Sequence, residues 1–348
     1  MKDLKVLYEQ VKDLMMAVKV DEIWSGFVPG KFALYEEGLC YFDGEYMEKP
    51  EYFCANTALK YDGEYIDIWD VTKELPLSIL TAKILHELFH AFQMENWIEC
   101  WSNEMEALFQ YEYSEENLSL KAQENQLLIA LQKEFKEETW REVLALRSYR
   151  EKKFPYEFRY ESCVEEIEGT ATYVEWAVLK QLDVELEEIE RQHGMKMLQN
   201  PKNYFPVRFS NYYSGALMVA AWEKAGGGLE GQQHGIFFGE KVERAMKKSL
   251  RLRKDSGIAK EIQKYQQETK EIIDSALSLD EALLSEPAKL RSVNVFDARR
   301  QGKYVISRFF LMYRIEEEDK VIRESVVIKM KDRENIEKVY KIPQEGEL

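Results

Sequence analysis

His86-Glu87-Leu88-Phe89-His90 places two imidazoles four residues apart with a carboxylate beside the first. On a helix, side chains at i and i+4 share a face, so both rings can aim a nitrogen at one point. Glu87 lies about 100° round the helix, within reach of a water held there but poorly placed as a ligand. Two neutral imidazoles and one further protein ligand leave a tetrahedral zinc ion an open position for water, which is the arrangement of a catalytic site. The competing reading is two core histidines flanking an exposed glutamate. A buried pair without a metal would cost about 1–3 kcal/mol for each ring nitrogen left unsatisfied. The chain has only four histidines, His86, His90, His193 and His234, which makes a chance match rare.

The element that must carry this motif is a buried helix. Leu77, Leu80, Ile84, Leu85, Leu88, Phe89 and Phe92 follow helical apolar spacing, and Pro76 suits a first turn. The spacing predicts a helix over about 77–97. A third ligand is sought on a second helix, about 161–180, where Glu161, Glu165, Glu168, Thr172 and Glu175 form one stripe at 4-3-4-3 spacing. A solvated acidic face is the plain explanation of such a stripe. Ile167, Ala171, Val174, Ala177 and Val178 make the adjoining side apolar, however, so part of the stripe must border the core. Carboxylates there are tolerable if a divalent cation and its histidines neutralise them.

His86-Glu87-x-x-His90 followed by Glu168-Gly169-Thr170-Ala171-Thr172-Tyr173-Val174-Glu175 resembles the gluzincin metallopeptidases, the group of thermolysin and aminopeptidase N. The resemblance covers these two segments only. It implies Glu168 as third zinc ligand and Glu175 as an acceptor for a ligand histidine N–H. Residues 91–167 make a longer gap than that family usually has, so Glu165 and Glu104 stand as alternatives to Glu168. The resemblance further implies a zinc-dependent metallopeptidase that hydrolyses peptide bonds, with Glu87 as general base for a zinc-activated water. It also implies a Tyr or His as second oxyanion donor. Tyr212 and Tyr213, at the start of a small-residue apolar run, are the candidates. His193 and His234, each in Gln-His-Gly, read as solvated loop histidines.

Composition sets outer limits. The charge of −16 and a pI near 5.0 argue against nucleic acid as a partner. No apolar stretch approaches the roughly 18 residues of a membrane span, and the charged N-terminus lacks a signal-peptide core. Cys40, Cys54, Cys100 and Cys163 show no framework spacing, which suits a reducing cytoplasm. One basic run, Lys241, Arg244, Lys248 and Arg251, reads as a solvated helix face, with an acidic partner as the lesser reading.

The expected fold is α+β. An N-terminal antiparallel sheet (24–71) precedes a mostly helical zincin-like catalytic body. A helical insertion (97–160) walls the cleft, and helices continue to 286. A C-terminal antiparallel β meander fills 287–348. Tyr61-Asp62-Gly63-Glu64 and Asp43-Gly44 read as hairpin turns. In the gluzincins an edge strand binds substrate backbone, and Tyr65–Trp69 is the segment nearest the motif for that part. Two other readings remain open: a zinc hydrolase acting on a non-peptide amide or ester, and a catalytically silent binding protein on the same scaffold.

Overall fold

Between Phe32 and Asp70 the chain alternates short apolar strands with turns. In the computed structural model, which describes residues 3–97, 101–231, 237, 255–279 and 282–343, these strands form a five-stranded sheet. Its members are β1 (Phe32–Glu36), β2 (Leu39–Phe42), β3 (Glu45–Glu48), β4 (Thr57–Tyr61) and β5 (Glu64–Asp70), in the order β3-β2-β1-β5-β4. Asp43 and Gly44 turn the β2–β3 hairpin with φ of 49° and 94°, and Asp62 and Gly63 turn β4–β5 with 46° and 91°. Both are the left-handed pairs that two-residue hairpins need.

The sheet is mixed rather than purely antiparallel, because β1 and β5 run parallel. Each hairpin is locally antiparallel, but their docking is a tertiary matter. Ile66 and Ile68 of β5 are fully buried, so β5 takes an interior position and the hairpins meet along β1 and β5. The edge strands are therefore β3 and β4, and β4 is the one beside α3. Tyr65–Trp69 lies inside β5 and is not the edge strand that the sequence suggested.

The helical body begins with α1 (Leu4–Ala17) and the short α2 (Val20–Ile23), and continues with α3 (Leu77–Asn96), α4 (Glu104–Gln110), α5 (Glu115–Lys133) and α6 (Glu137–Lys153). A long rod follows: α7 (Pro155–Val164) passes through a π-helical turn, Glu165–Gly169, into α8 (Thr170–Leu182). Then come α9 (Val184–Gln199), α10 (Arg208–Lys224) and α11 (Ser256–Leu279). The helix α3 packs against α8 on one side and against β4 and β5 on the other. Leu80, Ile84, Leu85, Leu88 and Phe89 meet Ile167, Ala171, Val174 and Val178 in the main core. The motif helix is thus clamped between the sheet and the rod that carries the acidic stripe.

Gly169 and Gly215 are where the rod crosses α10. A Cβ at Gly169 would stand 2.4 Å from Gly215 Cα, and one at Gly215 would stand 2.5 Å from the Glu165 carbonyl oxygen. Gly169 therefore serves a close approach to α10. Gly226, with φ of 84°, follows the end of α10, so the Gly226–Gly228 run acts as a helix terminator.

The C-terminal sheet has eight antiparallel strands: β6 (Ala282–Leu284), β7 (Ala288–Val293), β8 (Arg299–Gln301), β9 (Tyr304–Ser307), β10 (Leu311–Ile315), β11 (Glu318–Ile322), β12 (Val326–Met330) and β13 (Asn335–Lys341). It starts at Ala282, earlier than the expected boundary at 287. It is also not a simple meander, since β7 lies between β10 and β13. The run Tyr304–Ile315 breaks into two strands around Phe309, whose φ is 73°. One face packs on Met105, Leu108 and Phe109 of α4, and Ile273 and Ala276 of α11 cover the other. Among the described residues no helix is long and apolar enough to cross a membrane. Cys40, Cys54 and Cys163 form no disulfide among the described residues. His234, Cys100 and the basic run at 241–251 lie outside the described residues.

Candidate metal centre

His86 and His90 sit mid-helix in α3, and both are buried. Glu168 reaches them from the π-helical turn. Its Oε2 stands 3.2 Å from His90 Nε2 and 3.8 Å from His86 Nε2. Ligand atoms at about 2.1 Å from a tetrahedral zinc are about 3.4 Å apart, so the spacing fits a cation at their centre. These three residues form the one group of metal-ligating side chains found among the described residues. A π-helical turn inserts a residue into the helix and re-aims its side chains, a device frequent at functional sites.

The other ring nitrogens face outer partners. His86 Nδ1 lies 3.2 Å from Glu175 Oε2, and Lys83 Nζ holds the same carboxylate through Oε1 at 3.0 Å. His90 Nδ1 lies 2.7 Å from Gln93 Oε1. With Gln93 accepting from His90 Nδ1 and the Glu175 carboxylate beside His86 Nδ1, the tautomers favoured are those whose Nε2 keeps its lone pair for a cation. The donor set and its outer partners fit a zinc ion.

Glu168 is itself held. Arg208 Nη2, from the start of α10, binds Glu168 Oε1 at 2.5 Å, and Arg208 Nη1 pairs with Glu104. Tyr160 donates to the second Glu104 oxygen at 2.7 Å. Arg208 thus claims one oxygen of Glu168 and leaves the other to face the histidines, which favours a single-oxygen ligand. Of the alternatives, Glu104 belongs to this outer layer. Glu165 belongs to a buried charge network instead: Arg147 Nη2 at 2.8 Å, Lys121 Nζ at 3.2 Å and the Ser214 hydroxyl at 2.5 Å. Arg150, Glu124 and Glu161 complete that network, with three cations against three carboxylates.

The charges in the centre follow from this geometry. Burial alone would depress the His86 pKa, but the Glu168, Glu175 and Glu87 carboxylates outweigh it and raise it to about 10 in the metal-free protein. Burial opposes ionisation of Glu168 and Glu175 too. The histidines hold Glu168 well below the carboxylate range, and His86 with Lys83 brings Glu175 to about 2. Glu87 is shifted upward by burial and by Glu168, against the pull of His90, His86 and the Ala58 N–H, which it accepts. Ala58 is on the edge strand β4, so the motif carboxylate stands at that edge of the sheet.

The two tyrosine candidates separate. Tyr212 contacts Glu168 and stacks under the Arg208 guanidinium at 5.6 Å, and burial together with Glu168 keeps its hydroxyl protonated. Tyr213 packs beside Trp176 and His193, with ring centroids 6.5 and 6.2 Å away, behind the Lys83–Glu175 pair. His193 is on the exposed side of α9 and not in a loop, because Gly194 is buried in the helix where a Cβ would meet the Tyr213 ring at 2.6 Å.

Four residues of the centre escape sequence reading. Gln93 and Lys83 carry a usable signal, since each is one turn from a motif histidine on α3. Arg208 carries none, being 40 residues from the carboxylate it holds. Asp67 on β5 is fully buried, and neither of its carboxylate oxygens has a hydrogen-bond partner. Burial and the nearby Glu87 charge push its carboxyl well above the usual range. At the rim, Trp101 is 41% exposed with its ring 6.2 Å from His90. The chain matches no protein-family model, no curated protein and no solved structure.

Proposed function

We infer that this chain is a zinc-dependent metallopeptidase similar to the gluzincins, with His86, His90 and Glu168 as ligands and Glu87 as general base. The observation that carries the reading is the convergence of His86 Nε2, His90 Nε2 and Glu168 Oε2 with the Glu87 carboxylate beside them. A purely structural zinc site is closed by four protein ligands and needs no adjacent base.

A zinc ion bound there would supply Lewis acidity, polarising a carbonyl and acidifying a water. Glu87 takes the proton as water adds to the substrate carbonyl and returns it to the leaving amine, and its raised pKa suits both roles. Tyr212 keeps its proton and can donate to the oxygen on which charge develops. The Ala58 N–H fixes the Glu87 carboxylate against β4. An extended peptide laid along the free edge of β4 would pass Glu87 with its backbone aligned by strand addition.

The test is a pair of measurements on purified protein. Elemental analysis should find one zinc per chain, and digestion of a peptide library read by mass spectrometry should reveal cleavage. Glu87→Gln should retain the zinc and lose turnover by at least about 100-fold, the scale of a general base. A zinc-loaded chain that cleaves esters or non-peptide amides but no peptide would move the reading to that substrate class. Full peptidase activity in Glu87→Gln would reject the proposed base.

A further inference from the structure

A cavity of about 230 Å³ lies between the helical body and the C-terminal sheet, one layer away from the metal centre. Tyr111, Tyr113, Tyr160 and Tyr265 form a nearly continuous aromatic wall, with successive ring centroids 5.0 Å (Tyr111–Tyr113), 5.6 Å (Tyr111–Tyr160) and 5.4 Å (Tyr113–Tyr265) apart. Two of the hydroxyls are turned to partners: Tyr111 donates to Glu161 and Tyr160 to Glu104, each at 2.7 Å. What those two rings offer the cavity is therefore aromatic surface.

The charged groups of the lining are unevenly satisfied. Glu104 is neutralised by Arg208. Arg300, exposed on β8, donates only to the backbone carbonyls of Phe109 (2.5 Å) and Gly302 (3.0 Å), and no carboxylate among the described residues pairs with it. Arg208 spends its terminal nitrogens on Glu104 and Glu168, while its buried Nε has no partner. An aromatic cavity whose rim carries an arginine engaged by no carboxylate among the described residues suits a flat ring bearing one negative charge. Size narrows the class, since a cavity of about 150 Å³ accepts benzene. The remaining space, about 80 Å³, holds a carboxylate and at most one or two linking atoms.

We propose that this cavity binds a small aromatic carboxylate, its ring among the four tyrosines and its carboxylate on Arg300. The site is independent of the hydrolase reading, and its test does not use activity. Isothermal titration of the full zinc-loaded chain with benzoate or phenylacetate should give one site per chain and a Kd below about 1 mM, well within reach of a molecule of about ten heavy atoms. Benzamide, which has the ring without the charge, should bind at least about tenfold more weakly, the equivalent of one charge-assisted hydrogen bond. Arg300→Gln, an exposed substitution, should weaken benzoate by a similar factor. Ala298→Phe, which fills the cavity from the sheet side, should abolish binding with zinc content and melting temperature unchanged. If Ala298→Phe proves misfolded, Arg300→Gln decides. Absence of carboxylate binding, equal affinity for benzamide, or undiminished binding in Arg300→Gln would each overturn the proposal.

Discussion

His90 Nδ1 and Gln93 Oε1 are 2.7 Å apart, and the Gln93 amide nitrogen is committed to the Ile167 carbonyl at 2.9 Å and the Thr170 hydroxyl at 2.8 Å. A carbonyl only accepts, so the amide must point its NH2 toward Ile167 and its oxygen toward the ring. That orientation makes Nδ1 the donor and fixes the tautomer whose Nε2 faces Glu168. It also ties α3 to the π-helical turn across the site.

The first prediction follows from that bond. Gln93→Leu should weaken zinc binding by about 10–100-fold, the usual range for losing an outer partner of a ligand histidine. Competition with a chromophoric chelator measures it. An unchanged affinity would mean that His90 is oriented by packing alone.

A contrast within the acidic stripe distinguishes ligand from scaffold. Glu168→Gln should lose stoichiometric zinc. Glu165→Gln should keep it but destabilise the fold by about 3–5 kcal/mol, because Arg147 and Lys121 are left buried with less compensation. Zinc analysis and urea unfolding on both variants provide the check, and loss of zinc in Glu165→Gln alone would exchange the two assignments.

Proton and metal compete at His86. Since its pKa in the metal-free chain is raised from the ordinary 6.5 to about 10, its charged pairing with Glu168 and Glu175 stabilises the fold fully below pH 6.5 and is lost as pH rises through about 10. The Glu175 contribution, with its pKa lowered from 4.5 to about 2, is present above pH 4.5 and lost as pH falls through about 2. Chelated protein should therefore be destabilised at alkaline pH. A divalent cation must displace the His86 proton, so its apparent affinity should rise about tenfold per unit between about pH 6 and 8. Metal titrations at stepped pH would show it, and a flat profile would contradict a protonated His86.

The crossing of the rod and α10 has no room for a methyl group on either side. Gly169→Ala and Gly215→Ala should each cost about 1–3 kcal/mol or more, as overpacking against backbone does. Gly169→Ala should also displace Glu168, its neighbour, and lower zinc affinity together with stability. Thermal melts and zinc titration would separate this from a simple loss of stability, which would leave the affinity of the folded fraction unchanged.

The motif helix, the shared face of His86 and His90 and both Asp-Gly hairpins were legible in the sequence. Each depends on spacing of a few residues, where one turn or one φ value settles the outcome. The acidic stripe was legible as a stripe, but three of its carboxylates were equivalent by spacing. The resemblance to the gluzincins singled out Glu168 and Glu175, whereas only the fold sends Glu165 to Arg147 and brings Glu168 and Glu175 to the two histidines. The π-helical turn that parts them answers to packing against α10 and leaves no local signature. The mixed sheet, the edge position of β4 and the Arg208 clamp are likewise tertiary. They arise where segments tens of residues apart bury apolar faces or compensate charge, and a single sequence carries no record of which distant partners will meet.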